Sequence, residues 1–261
     1  MKMPRILFLL CFLWLVGCGS GSIANPSPEI TVFAAASLTD AFTELAEAYE
    51  AQNPGVTVRL NFGGSSQLAA QLREGVPADV FASANAAQMT AVVEAGRVEA
   101  GNTAVFATNR LTVIVPADNP ANITRLEDLA QPGVALILAV EGVPVRQYTD
   151  DIVAALPSDF QTNFYANLVS AEDNVRQVAA KIALGEADAG IVYTSDVTPD
   201  IVDRVQQIAI PDAQNVIATY PLAPLADAPS PAQARSFIDF VRSAEGQAIL
   251  ARWGFGPGAD G

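Results

Sequence analysis

Apolar residues in this chain follow two alternating rhythms. Short continuous runs of Val, Ile, Leu, Phe and Ala read as buried strands. Between them, apolar positions recur every three or four residues, as on one face of a helix. Residues 30–35 predict the first strand. Leu38, Phe42, Leu45, Ala46 and Tyr49 then share a helical face, and Asn53-Pro54-Gly55 ends that helix. A strand over 56–62, a helix marked by Leu68 and Leu72 and stopped by Gly75, a strand over 79–82 and a helix over 86–94 complete a first unit. A second unit of the same layout starts with a strand over 111–115, closed by Pro116. A strand over 134–140, a helix over 145–156, a strand over 167–170, a helix over 175–184 and a strand over 189–193 follow. Residues 216–222 are extended, and Pro221 restricts them to a sheet edge or strand end. Ser230-Pro231-Ala232-Gln233 predicts a helix start with a serine cap, and Phe237, Phe240 and Val241 supply the apolar face beyond it. Strand–helix alternation of this kind predicts an α/β protein with mainly parallel sheet.

Several strand-to-helix junctions share a composition. VFAAASLTDAF (32–42) and LNFGGSSQLAAQL (60–72) each run from a strand, through small residues and serine, into a helix. The start of a helix carries unpaired N–H groups and a partial positive charge, so two such junctions aimed at one point form a socket for a small anion. Ser37 and Ser65 each add a hydroxyl. Glu141-Gly142-Val143-Pro144-Val145 is a third junction and Ser170 to Val175 a fourth, while Tyr193 ends a strand with a phenol. Structural alternatives stand beside each of these. Ser37 can cap its helix near Asp40, Gly63-Gly64 can serve a tight turn, and Tyr193 can be a core tyrosine bonded to backbone.

Composition narrows the chemistry. The 261 residues hold 28 acidic and 14 basic side chains, a net charge of −14, and no histidine. Such acidity argues against nucleic acid as a partner and leaves local dipoles, not net charge, to hold any anion. The absence of histidine removes its base, metal-ligand and pH-switch roles. Ser65 lacks the second glycine of a nucleophile elbow, since Gln67 stands there, and Lys181 falls mid-helix, so a serine hydrolase is a poor match. No metal-ligand spacing is found, and no cofactor motif.

The first residues read as a processing signal. Lys2 and Arg5 precede an apolar run over 6–16, too short for a typical membrane span, and Leu15-Val16-Gly17-Cys18 follows. This order resembles a bacterial lipoprotein cleavage box. It implies a signal peptide over 1–17, lipid attachment at Cys18, a tether over 18–28 and a location on the outer face of the cell membrane or in the periplasm. Cys11 is then discarded, and loss of Lys2 and Arg5 takes the net charge to −16.

Six ordered segments together resemble the molybdate-binding proteins of ABC importers. They are VFAAASL, FGGSSQLAAQL with GVPADVFASA, EGVP, EDNVR, GEADAGIVY and SAEGQAILARWGF, spread over residues 30–256. The resemblance implies a two-lobed type II periplasmic binding protein fold. Each lobe is a mostly parallel sheet flanked by helices, and two crossover strands join them. The implied lobes are 29–108 with 217–261, and 109–216. Ser37 and Ser65 are then expected to bind the oxyanion from the first lobe, and Val145, Val175 and Tyr193 from the second, the valines through backbone N–H. Molybdate, and tungstate with it, is the implied ligand; sulfate or phosphate is the same-fold alternative. A permease is the implied partner of a monomeric, non-enzymatic chain. Where the family often has Ala-Gly after the proline, this chain has Val145-Arg146, which sets a cation beside the expected pocket or pairs it with a surface acid.

Overall fold

The computed structural model describes residues 28–258. The expected signal over 1–17, Cys18 and most of the tether lie outside the described residues. The first unit is β1 (Glu29–Ala35), α1 (Thr39–Gln52), β2 (Thr57–Gly63), α2 (Ser65–Arg73), β3 (Val80–Ala82) and α3 (Ala86–Glu94). After β4 (Ala104–Pro116) come β5 (Leu136–Ala139), α4 (Pro144–Ala154), α5 (Ser158–Ala166), β6 (Leu168–Glu172), α6 (Val175–Ala183) and β7 (Ala189–Tyr193). The chain ends with β8 (Val205–Ala209), β9 (Ile217–Pro224), α7 (Pro231–Arg242), α8 (Ala244–Arg252) and β10 (Gly256–Pro257).

The strands lie in the order β2-β1-β3-β9-β4-β7-β5-β6. Each flank of this order is parallel: β1 pairs with β2 and β3, and β5 with β6 and β7. Parallel pairing needs helical crossovers that cover both sheet faces, which is why β1, β5 and β7 are nearly continuous apolar runs. The middle is antiparallel. β9 runs against β3 and β4, and β4 against β7 and β8. β4 joins the flanks: Ala104 to Arg110 pair with β9, whereas Leu111 to Pro116 pair with β7 and β8. Phe42 packs edge-on against Phe106, with ring centroids 5.6 Å apart, and Phe237 meets Tyr49 at 5.3 Å, so α1, α7 and β4 share one core.

Three expectations are corrected. Pro221 lies in β9, a central strand, because a register shift between Val105 and Ala107 opposite it spares the ladder the N–H that proline lacks. Ser230 does start α7 with Pro231 behind it, but its hydroxyl bonds Glu29 O at 2.7 Å instead of capping the helix. The sheet is parallel only on its flanks. α5, β8 and the first half of β4 were not expected from the pattern.

The turns that open α2, α4 and α6, and the turn before α1, converge on one crevice. In parallel strand–helix units the crevice lies beyond the carboxyl ends of the strands. There β1 leads into Ser37, β2 into Ser65, β5 into Pro144 and β6 into Val175.

Candidate functional site

Ala35, Ala36 and Ser37 follow β1 in a tight 3₁₀ turn before α1. The hydroxyl of Ser37 is 3.1 Å from that of Tyr220 on β9, and both side chains are buried. Ser37 does not cap α1: Leu38 stands at the cap position, and no side-chain cap bond forms there. Ser65 is the first residue of α2, with Gly64 before it. Its hydroxyl oxygen accepts a 3.0 Å bond from the Ala84 N–H, which ties the start of α2 to the segment after β3 and leaves the serine proton free.

From the other side come α4 and α6. Val143, Pro144 and Val145 open α4, the proline standing at a position whose N–H has no helical partner in any case. α6 begins at Val175 behind a reciprocal cap: Asn174 accepts from Gln177 N–H, and the Gln177 side chain accepts from Asp173 N–H, each at 3.1 Å. The cap consumes the N–H groups of Asp173 and Gln177 and leaves those at the very start of α6 without helical partners.

Ser37, Ser65, Val145, Val175 and Tyr193 all line one cavity, with Ala84, Val143 and Asn174 among its other walls. Its volume, taken to the centre of a water-sized sphere, is about 10 Å³. That is about the room of one water-sized sphere, so the cavity is narrow in this conformation. None of the lining residues carries a charge. The cavity is a set of hydroxyls and helix N-termini, which is the chemistry of an anion socket.

Tyr193 decides the character of the site. Its side chain is 1% exposed, and its hydroxyl has no hydrogen-bond partner among the described residues. A buried hydroxyl without a partner costs about 1–3 kcal/mol, so one aimed into a cavity marks a place where a ligand completes the bonding. Burial, with the phenols of Tyr220 and Tyr148 close by, holds the Tyr193 pKa well above 10. The group therefore stays protonated, with a proton available to an acceptor in the cavity. The alternative of a core tyrosine bonded to backbone is excluded by its unpaired hydroxyl.

Two halves of the sheet meet around this cavity. Asn85 Nδ2 donates to Gln147 Oε1 at 2.8 Å, and Gln88 Nε2 to Gly142 O at 3.1 Å, linking the start of α3 to the start of α4. Arg176 ties α6 to α1 through Asp40. Arg146, expected either beside the pocket or paired with a surface acid, does not line the cavity and pairs with acids that reach solvent. It is 7% exposed, bonds Asp150 at 2.7 Å and the Ala139 carbonyl at 3.3 Å, and sits over the ring of Tyr165. Its methylenes pack in the second half while its charge is matched by an acid one helical turn on. Lys181 is likewise committed, to Glu172 at 2.7 Å.

The sequence profile of the bacterial extracellular solute-binding proteins matches residues 30–256. The chain belongs to this family. The molybdate-binding protein ModA of Mycobacterium tuberculosis is 42% identical over 249 residues, covering 92% of each chain. Among solved structures, the periplasmic molybdate-binding protein of Azotobacter vinelandii superposes with a TM-score of 0.75 at 20% identity, over 87% of this chain and 98% of that one. The sulfate-binding protein SubI of M. tuberculosis does so with a TM-score of 0.80 at 23% identity, over 88% and 87%. At these identities the two structures speak for the fold alone: the α/β fold of the type II periplasmic binding proteins.

The structure also ties residues that sequence reasoning did not single out to the cavity. Tyr220 braces Ser37, Ala84 braces Ser65, and Asn174 fixes the start of α6. Only Asn174 carried a local signal, as an asparagine three residues ahead of Gln177 at a helix start. Among the described residues no group of three or more His, Cys, Asp or Glu could hold a metal ion, and no helix is long and apolar enough to cross a membrane.

Proposed function

We propose that this protein captures molybdate, and tungstate with it, outside the cell membrane and hands it to an ABC permease. The observation that carries the reading is the buried, unpartnered hydroxyl of Tyr193 facing an uncharged cavity that Ser37, Ser65 and two helix N-termini also line. Identity of 42% to a molybdate-binding protein over 92% of the chain supports the choice of ion. In this reading Ser37, Ser65 and Tyr193 donate through hydroxyls, and Val145 and Val175 through backbone N–H. Charge-assisted bonds of this kind contribute about 1.5–3 kcal/mol each, so five donors suffice for tight binding after ordering costs.

The proposed lobes are 29–108 with 217–261, and 109–216. The switch of β4 partners at Leu111 and the start of β9 at Ile217 support these boundaries. Closure of the lobes brings the two groups of donors together and expels water. Cys18 is the proposed lipid attachment site, which tethers a monomer close to its permease. The chain performs no catalysis in this reading. Among the described residues the Ser65 hydroxyl has a backbone N–H as its partner, and Lys181 is held by Glu172.

A thermal-shift panel tests the assignment, because a ligand that binds only the native state raises the midpoint by mass action. Molybdate and tungstate are expected to give the largest rises at equal concentration. Sulfate or phosphate exceeding molybdate overturns the choice of ion.

A further inference from the structure

We propose that Tyr220 is a positioning residue that fixes the direction of the Ser37 hydroxyl, making Ser37 a one-way donor and biasing the cavity toward oxyanions that carry no proton. The inference rests on the oxyanion-binding reading above and deepens it.

Tyr220 lies on β9, 183 residues from Ser37, with its hydroxyl 3.1 Å from the serine oxygen and both groups out of water. Distance alone allows either atom to donate. The surroundings of Tyr220 choose between the two. The Asn109 side chain stands against the Tyr220 phenol. Its amide oxygen already accepts from Arg110 N–H and from the Thr194 hydroxyl, each at 2.9 Å, which fills both lone pairs. Asn109 therefore has only N–H to offer, and one of those goes to Ser195 at 2.8 Å. Two oxygens are left to accept the phenol proton, that of Ser37 and that of Tyr193, whose phenol also stands against Tyr220. A chain running Tyr220 to Ser37 to ligand satisfies every member. The reverse chain passes the phenol proton to Tyr193 and turns the Ser37 proton away from the cavity, so it offers the ligand one donor fewer.

The consequence is chemical. With Tyr220 donating, the serine proton points into the cavity, and the incoming bond polarises it further. Ser65 is held the same way by a group that can only donate, the Ala84 N–H. Tyr193 brings a third hydroxyl with no internal acceptor. A fully deprotonated oxyanion accepts from all three. An oxyanion bearing a proton must turn its own O–H toward one of them, donor against donor, and loses that contact.

The test is a double-mutant cycle on the full-length protein, with molybdate and inorganic phosphate as probes. Tyr220→Phe is expected to weaken molybdate binding about 3- to 10-fold, the effect of one neutral hydrogen bond. In the Ser37→Ala background the same change is expected to alter affinity less than about 2-fold, because Tyr220 then has nothing to orient. The discrimination of molybdate over phosphate at pH 6, read by competition, is expected to narrow in Tyr220→Phe. Equal losses in both backgrounds, or unchanged discrimination, overturn the proposal. Melting of the unliganded variant checks its fold. In the wild-type molybdate complex, a slowly exchanging Tyr220 hydroxyl proton with a nuclear Overhauser contact to Ser37 gives the same answer without substitution, and its absence counts against the relay. Failure of the wild-type protein to bind any oxyanion is a different result, which removes the functional reading itself.

Discussion

Arg176 Nη2 stands 2.6 Å from Asp40 Oδ2, joining the first turn of α6 to the first turn of α1 beside the cavity. Cavity-lining residues stand beside both, Val175 next to Arg176 and Ser37 in the 3₁₀ turn just before α1. The pair bridges the two walls of the cavity, so opening the cleft is expected to break it. Its side chains are 24% and 29% exposed, so its contribution is of the size of a partly solvated ion pair, about 0.2–1 kcal/mol. Asp40→Asn is expected to speed molybdate release up to about fivefold and leave the order of preference among oxyanions unchanged. Stopped-flow release at low and high salt checks this, and the difference from wild type should shrink as salt screens the pair.

The same guanidinium serves a second acid. Arg176 Nε is 3.0 Å from Asp196 Oδ1, and Asp196 is fully buried just after β7. Burial raises the Asp196 pKa to about 6, and Arg176 with the Tyr193 N–H offsets only part of that. A carboxyl whose folded pKa is raised stabilises the protein most below its unfolded value and loses that contribution as pH rises through the folded value. The window runs from about pH 4 to about pH 6, and a shift of about two units corresponds to on the order of 3 kcal/mol. Glu172, held low by Lys181 and Ser170 against its burial, acts in the opposite sense: its contribution is present above the usual carboxylate range and fades in acid. Asp196→Asn removes the first effect and keeps the second. Urea unfolding at pH 4.5 and pH 7 is therefore expected to show wild type losing stability relative to the variant as pH rises. A constant difference between the two proteins at both pH values contradicts this account.

Much of the fold was legible because burial on both sheet faces forces continuous apolar runs. β1, β3, β7 and α3 stand where the pattern puts them, the last with the same limits. The losses have physical causes. α5 (SDFQTNFYA) is largely exposed and built from polar and aromatic residues of middling helix propensity, so neither periodicity nor composition announces it. β8 (VQQIA) is a short strand with two exposed glutamines. The first half of β4 ends in Thr108-Asn109-Arg110, polar residues spent on tertiary bonds at the crossing point. The site divides in the same way. Ser37, Ser65, Val145, Val175 and Tyr193 sit at junctions whose small residues and helix starts are local features. Tyr220 is tied to Ser37 across 183 residues, and no local window holds such a relation.

Ser65 is expected to matter to the fold as well as to the ligand. Its oxygen is the acceptor for the buried Ala84 N–H, so Ser65→Ala strands that group. The cost is about 1–3 kcal/mol of unfolding free energy without ligand. Domains commonly hold about 5–15 kcal/mol, so the variant stays folded. Loss of a charge-assisted donor is expected to weaken molybdate binding more than tenfold as well. Urea unfolding of the unliganded protein and calorimetry of the complex separate the two effects. A variant as stable as wild type would show that the Ala84 bond carries no net weight.

Gly64 reports on closure more directly than any donor. Its φ of −60° and ψ of 132° suit alanine, so backbone conformation does not demand glycine there. Space does: a Cβ would lie 2.6 Å from the Asp173 carbonyl oxygen and 3.6 Å from Val143 Cγ2. Both neighbours belong to the opposite group of donors, one before α6 and one before α4. Overlap with a backbone atom cannot be relieved by a rotamer change, and crowding of this kind costs about 1–3 kcal/mol. In an opened cleft the clash vanishes. Gly64→Ala is therefore expected to leave the unliganded protein about as stable as wild type while weakening molybdate binding about tenfold or more. X-ray scattering with saturating molybdate supplies the second reading. Wild type should contract on adding the ion, and the variant should contract less. Full contraction with unchanged affinity would mean that the two halves do not move toward each other when the ion binds.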